Sequence, residues 1–143
     1  MTTVSQLLSD KGHQVFSVSP DASVYDAIAN MAMHGIGALA VMHEGKLVGI
    51  VSERDYARKV ILRDRSSRTT LVREIMTPDV VTIDPEKTVE HAMKLMTAHR
   101  IRHLPVLDQG QVAGMLSIGD LVKAVIGQQR FEIEQLQEYI AKG

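Results

Sequence analysis

A gapless internal repeat constrains this chain more than any other feature. Residues 15–61, VFSVSPDASVYDAIANMAMHGIGALAVMHEGKLVGIVSERDYARKVI, align at an offset of 65 with residues 80–126, VVTIDPEKTVEHAMKLMTAHRIRHLPVLDQGQVAGMLSIGDLVKAVI. Fifteen of the forty-seven columns are identical, among them Pro20/Pro85, Val24/Val89, Met31/Met96, His34/His99, Gly45/Gly110, Gly49/Gly114, Ser52/Ser117 and Asp55/Asp120. Glycines and carboxylates align as well as apolar positions, which marks duplication of one structural module. A copy of ~60 residues is marginal alone, because small units bury too small a share of their surface. The two are therefore expected to stack about a pseudo-twofold, burying their sheets together.

Each copy reads the same way. Val15 to Val18 is a short β-run ended by Pro20. Ser23 then precedes Val24, Ala27, Ile28, Met31 and Ala32, an amphipathic helical stripe with Asp26 three residues after the capping Ser. Leu39 to Met42 and Leu47 to Val51 flank HEGK and predict a hairpin around Gly45, after which Asp55 to Leu62 returns to helix. The second copy predicts a strand over Val80 to Ile83, a Thr88-capped helix, a hairpin of Leu104 to Leu107 with Val112 to Leu116, and a helix from Gly119. The connection LRDRSSRTTL is polar and charged. Beyond the second copy, Phe131, Ile133, Leu136 and Ile140 lie at roughly helical spacing and predict an additional C-terminal helix. The expected fold class is α/β, two βαββα units with pseudo-twofold symmetry.

The duplicated unit resembles the CBS motif, and the pair resembles a Bateman module. The residues that carry the likeness are Met31 to Ile36 and Met96 to Ile101 at a helix end before a strand, HRIRHLPVLD at 99–108, GIVSERD at 49–55 and GMLSIGD at 114–120. SERDYARK and the RSS linker are similar to stand-alone CBS-pair proteins of bacteria and plant organelles. This organisation places the first motif, with an N-terminal segment and linker, over 1–70, the second over 71–127 and the C-terminal helix over 128–143.

Ser52-Glu-Arg-Asp55 and Ser117-Ile-Gly-Asp120 allow two readings from the residues alone. One is a capping box, in which Ser and the carboxylate three residues on satisfy unpaired N–H groups at a helix start. The other is ligand binding, because a helix start attracts phosphate and a carboxylate accepts paired bonds from two ribose hydroxyls. Both can hold together. The resemblance implies the second: in CBS modules the Asp of S/T-x-x-D grips ribose, and each nucleotide takes its ribose grip from one copy and its adenine slot from the other. Carried over residue by residue, one site would join Ser117 and Asp120 to Phe16, Ile36, Gly37 and Ala38. The other would join Ser52, Arg54 and Asp55 to Met76, Pro78, Val81, Ile101, Arg102 and His103. Each apolar residue among these, taken singly, also reads as ordinary core.

The copies differ in charge. Arg54 has Gly119 as its counterpart and can fork onto a phosphate, while Arg102 and His103 match the neutral Gly37 and Ala38. The two sites can therefore hold different adenine ligands. From Arg58 to Arg73 six positive residues face one negative in a chain of net charge -1, either a solvated face or a surface for a polyanion or acidic partner. Three Tyr, two Phe and no Trp supply no stacking series for nucleic acid.

Catalysis receives little support. Asp55 and Asp120 occupy equivalent repeat positions, which symmetry explains better than acid–base division. The chain has no Cys, and no nucleophile elbow is present. His99 and His103 have helical metal-pair spacing, but Pro105 and the run LPVL take the second out of the helix. GIGA and GKLVG lack the spacing of a dinucleotide or P-loop fingerprint. No metal and no catalytic cofactor is expected. No run approaches the ~18 apolar residues of a membrane span, and a cysteine-free composition suits the cytoplasm. What the resemblance implies is a regulatory module sensing AMP, ADP, ATP or NAD(H), signalling to an unidentified partner protein and forming a flat homodimer. The other reading is an interaction scaffold with vestigial clefts.

Overall fold

A computed structural model describes residues 2–142. Its elements in chain order are α1 (Val4–Lys11), β1 (Ser17–Val18), α2 (Val24–His34), β2 (Ala38–His43), β3 (Lys46–Ser52), α3 (Glu53–Lys59), α4 (Val72–Ile75), α5 (Val89–His99), β4 (His103–Asp108), β5 (Gln111–Ser117) and α6 (Ile118–Lys142), with a 3-10 turn at Ile61–Arg63. They form two compact units. The first-copy unit comprises Gln14–Val81 with Gln109–Val112; the second-copy unit gathers the residues up to His13, Thr82–Asp108 and those from Ala113 onward.

In the first-copy unit β1, β2 and β3 form a sheet in that order, β1 parallel and β3 antiparallel to β2. The hairpin closes through Glu44 and Gly45, both at positive φ (50° and 77°), between the paired His43 and Lys46. A two-residue turn of this hand matches strand twist and requires the left-handed region at both positions, hence glycine at the second. Gln109 and Gly110 repeat it at 52° and 81° between β4 and β5. The Ser23 hydroxyl accepts from Asp26 N–H and Thr88 from His91 N–H, both at 3.1 Å, starting α2 and α5 as their sequences predict.

The cores correspond column by column. Val24, Ala27, Met31, Leu39, Val41 and Val51 are buried in one cluster, and Val89, Ala92, Met96, Leu104, Val106 and Leu116 are buried in the other unit. Burying each Val, Leu or Met side chain among them contributes ~1.5–3 kcal/mol, so the repeated apolar stripe is the main source of stability in each half.

The predicted strand over Val80 to Ile83 is not formed: it reduces to a single parallel bridge between Ile83 and Val106. In the first copy Ala40 N–H donates to the Phe16 carbonyl at 3.2 Å. Pro105 stands at Ala40's position and has no N–H to give. The predicted C-terminal helix is likewise not a separate element, because α6 runs unbroken from Ile118 through Gly127 to Lys142. The helix predicted over Asp55 to Leu62 divides into α3 and the 3-10 turn.

Two short helices lie outside the gapless repeat yet correspond to each other at an offset of 68. Val4 and Ser5 N–H donate to the carbonyls of Lys87 and Pro85, and Val72 and Arg73 N–H donate to those of Ala22 and Pro20. Thus α1 docks on the second copy as α4 docks on the first. The close approach uses glycine. A Cβ on Gly114 would lie 2.6 Å from Leu8 Cδ2 of α1, and one on Gly49 would lie 2.6 Å from Met76 Sδ.

Candidate functional site

The two Ser-x-x-Asp segments both start helices, and both form the capping box that the residues predict. In the first-copy unit Ser52 N–H donates to Asp55 Oδ2 at 2.9 Å, the Ser52 hydroxyl donates to the same oxygen at 3.0 Å, and Asp55 N–H donates back to Ser52 Oγ at 3.2 Å. In the second-copy unit Ser117 N–H donates to Asp120 Oδ2 at 2.8 Å and Asp120 N–H to Ser117 Oγ at 3.2 Å. These reciprocal bonds hold each carboxylate in one orientation at the end of the hairpin. A carboxylate so fixed has lost side-chain freedom already, which lowers the entropic cost of binding a diol.

Each Asp also meets a lysine, from different places in the two units. Lys59, one turn along α3, lies 3.3 Å from Asp55 Oδ1 and donates to the Ile75 carbonyl at 2.8 Å. Asp120 is met by Lys11 of α1, whose Nζ lies 2.6 Å from Oδ2 and also donates to the Met115 carbonyl. Burial opposes ionisation of Asp120, but hydrogen bonds from Lys11 and Ser117 outweigh it and hold its pKa below the ordinary carboxylate range. The sign is that of a depressed acid: the stabilisation is present above the ordinary range and is lost as pH falls through the lowered value.

Beside Asp120 the second-copy unit has a cavity of about 620 Å³ between α1 and the first turns of α6. Lys11, Asp120, Lys123 and Asp10 bring charge to its wall, and Leu7 and Ala124 supply apolar surface. This volume lies within the range of small-ligand sites.

The other expected site residues are distributed as follows. Phe16, Ile36 and Met76 pack against the first-copy core, and the Phe16 ring stacks on His34 with centroids 3.8 Å apart. Ala38 is buried at the start of β2. The Gly37 carbonyl accepts from Glu53 N–H at 3.0 Å, and the Arg102 carbonyl accepts from Ile118 N–H at 2.9 Å. In each unit, therefore, the helix-to-strand junction is bonded to the helix that carries the Asp. Arg54 is the second residue of α3, Ile101 and Arg102 precede β4, and His103 opens it. Pro78 and Val81 follow α4 outside regular structure. The expected pairings each take residues from both units. Lys11, Lys59 and Lys123 were not singled out in the sequence. The repeat's own asymmetry signals two of them, because Lys59 matches Ala124 at the offset of 65 and Lys11 matches Asp79 at the offset of 68; Lys123 matches Arg58 and carries no such signal.

Lys59, Arg65, Arg68 and Arg73 of the basic stretch are engaged within their own unit. Arg65 pairs with Glu74 at 2.7 Å, Arg73 pairs with Asp21, and the Arg68 guanidinium lies 3.9 Å over the Tyr25 ring. Among the described residues no cluster of three or more His, Asp or Glu is arranged to hold a metal, and no helix is long and apolar enough to cross a membrane.

The model of the CBS domain family matches residues 4–62 and 72–127. The chain belongs to the CBS-domain family. Among curated CBS proteins it is 43% identical over 151 residues to the mitochondrial CBS domain-containing protein CBSX3 of Arabidopsis thaliana, covering 99% of this chain and 73% of that one. Among solved structures it is similar to the CBS domain NE2398, with 52% identity, a TM-score of 0.84 and coverage of 87% and 98% of the two chains. It is also similar to the CBS domain pair of MJ0100, described in complex with 5'-methylthioadenosine and S-adenosyl-L-methionine, with 27% identity, a TM-score of 0.80 and coverage of 90% and 98%. The α/β fold of two repeated units, expected from the repeat, and its CBS character, expected from the resemblance, are those of these neighbours.

Proposed function

We propose that this CBS pair is a regulatory binding module for adenosyl ligands, with Asp55 and Asp120 as the two ribose grips and without catalysis of its own. The observation that carries the reading is the pair of preorganised carboxylates, each fixed by its Ser at the start of a helix. The neighbour described with methylthioadenosine and S-adenosylmethionine supports adenosyl chemistry. AMP, ADP, ATP and NAD(H) all present the same adenosyl diol, and the differences in charge around Asp55 and Asp120 favour different phosphate loads at the two. The signal would pass to a partner protein, and the cysteine-free composition supports a cytoplasmic setting.

The proposal includes a homodimer. On α6 the exposed Ile126, Ile133 and Ile140 recur every seven residues, with Val122 and Leu136 at the intervening heptad positions. This is the seam that a second copy of the same helix covers best. Light scattering at micromolar concentration is expected to give a dimer, and truncation after Gly127 is expected to weaken it. A parent monomer at high micromolar concentration would remove this part.

Binding itself is tested by melting. A ligand at a hundredfold excess over its dissociation constant stabilises the folded state by ~2.7 kcal/mol, or roughly 5–10 °C in Tm for a chain of this size. AMP, ATP and NAD(H) are expected to raise Tm while guanine and pyrimidine nucleotides do little. Equal shifts with all bases, or none with any, would contradict the adenosyl reading.

A further inference from the structure

The second-copy unit holds a contact that the first-copy unit solves in another way. In the first copy the carbonyl of Ile50 accepts Thr77 N–H at 2.9 Å, and Asp55 pairs with Lys59 of its own helix. In the second copy one ammonium serves both equivalents: Lys11 donates to the Met115 carbonyl and lies 2.6 Å from Asp120 Oδ2. Lys59 is replaced there by Ala124, which lines the cavity of about 620 Å³ together with Asp10 and Lys11 of α1 and Asp120 and Lys123 of α6. The group nearest the proposed ribose carboxylate is therefore a long, flexible cation from another helix, beside open volume and a second ammonium.

A neutral diol that takes both oxygens of Asp120 must compete with a charge-assisted bond at Oδ2. Displacement leaves the Lys11 ammonium beside the cavity without its carboxylate. A phosphorylated ligand supplies a replacement anion; a nucleoside does not. We propose that Lys11 is the phosphate-specificity residue of the Asp120 site: it covers the carboxylate when no ligand is bound and, once displaced by the ribose diol, pairs with the ligand's phosphates together with Lys123. This deepens the ribose reading of Asp120 and rests on it. The depressed pKa of Asp120, due in part to Lys11, agrees with the strength of the resting contact.

The test uses the full chain carrying Asp55→Ala, so that the Asp120 site reports alone, titrated with adenosine, AMP and ATP. Lys11→Met is expected to bind adenosine severalfold tighter and ATP about tenfold weaker. Lys123→Met is expected to weaken ATP without tightening adenosine. Lys11→Arg, which keeps the charge and the donors, is expected to keep the preference for ATP over adenosine even if Lys11→Met loosens α1. If Lys11→Met changes adenosine and ATP by the same factor or not at all, or if Lys11→Arg behaves like it, Lys11 is a structural clamp and the inference is overturned. If Asp120→Ala in the same background leaves all three ligands bound as before, it is the ribose reading that fails, and this inference with it.

Discussion

Asp120→Ala is expected to weaken adenosyl binding at its own site by roughly ten- to more than a hundredfold and to leave the Asp55 site working. Charge-assisted bonds from two ribose hydroxyls to one carboxylate contribute ~1.5–3 kcal/mol, and the methyl group of alanine replaces none of them. Asp55→Ala should give the reciprocal result. Both carboxylates also cap a helix, at 2.8–2.9 Å from the Ser amides, and loss of a cap costs about 1 kcal/mol by itself. Melting curves must therefore accompany the titrations. Variants that stay folded at the assay temperature and still lose one site each separate ribose binding from capping. If both variants stay folded and bind every adenosyl ligand as the parent does, the carboxylates are not ribose grips, and the interaction-scaffold reading takes over.

Leu104→Ala is expected to destabilise the protein by about 2–5 kcal/mol, a drop of roughly 4–18 °C in Tm. Leu104 is fully buried in β4, as are Val106 of the same strand and Leu116 of β5. Removing three carbons there loses transfer free energy and leaves a cavity that two paired strands cannot collapse into. Met33→Ala is the control. Met33 is exposed on α2, outside the proposed α6 seam, so its loss should cost less than about 0.5 kcal/mol. Equal destabilisation by the two substitutions would contradict the placement of the core.

Much of this architecture was legible because duplication repeats every local signal. Pro20, the Ser23 cap, the Gly45 turn and the Ser52 box each have a second instance 65 residues on, so helices and hairpins were placed from two independent copies. The failures arose where the copies diverge. Val80 to Ile83 is as apolar and β-branched as its counterpart, but pairing needs a partner N–H, and the deciding residue, Pro105, lies more than twenty positions away. The docking of α1 and α4 was hidden for a different reason. Their correspondence runs at 68 rather than 65, so a gapless alignment passes over it, and their anchoring consists largely of backbone hydrogen bonds to the residues around Pro20 and Pro85. The same shift hid Lys11. A lysine 109 positions from its carboxylate carries no local pattern, whereas Asp55 and Asp120 declared themselves through an aligned Ser-x-x-Asp.

Equilibrium dialysis of the full chain against labelled AMP and labelled ATP decides whether the Ser-x-x-Asp carboxylates hold adenosyl ligands. Saturable uptake is expected at micromolar ligand, competed by unlabelled adenosine nucleotides and not by guanosine nucleotides, and reduced in the Asp55→Ala, Asp120→Ala double variant. The absence of saturable uptake of either label at millimolar concentration, or equal competition by guanosine nucleotides, would contradict the adenosyl reading.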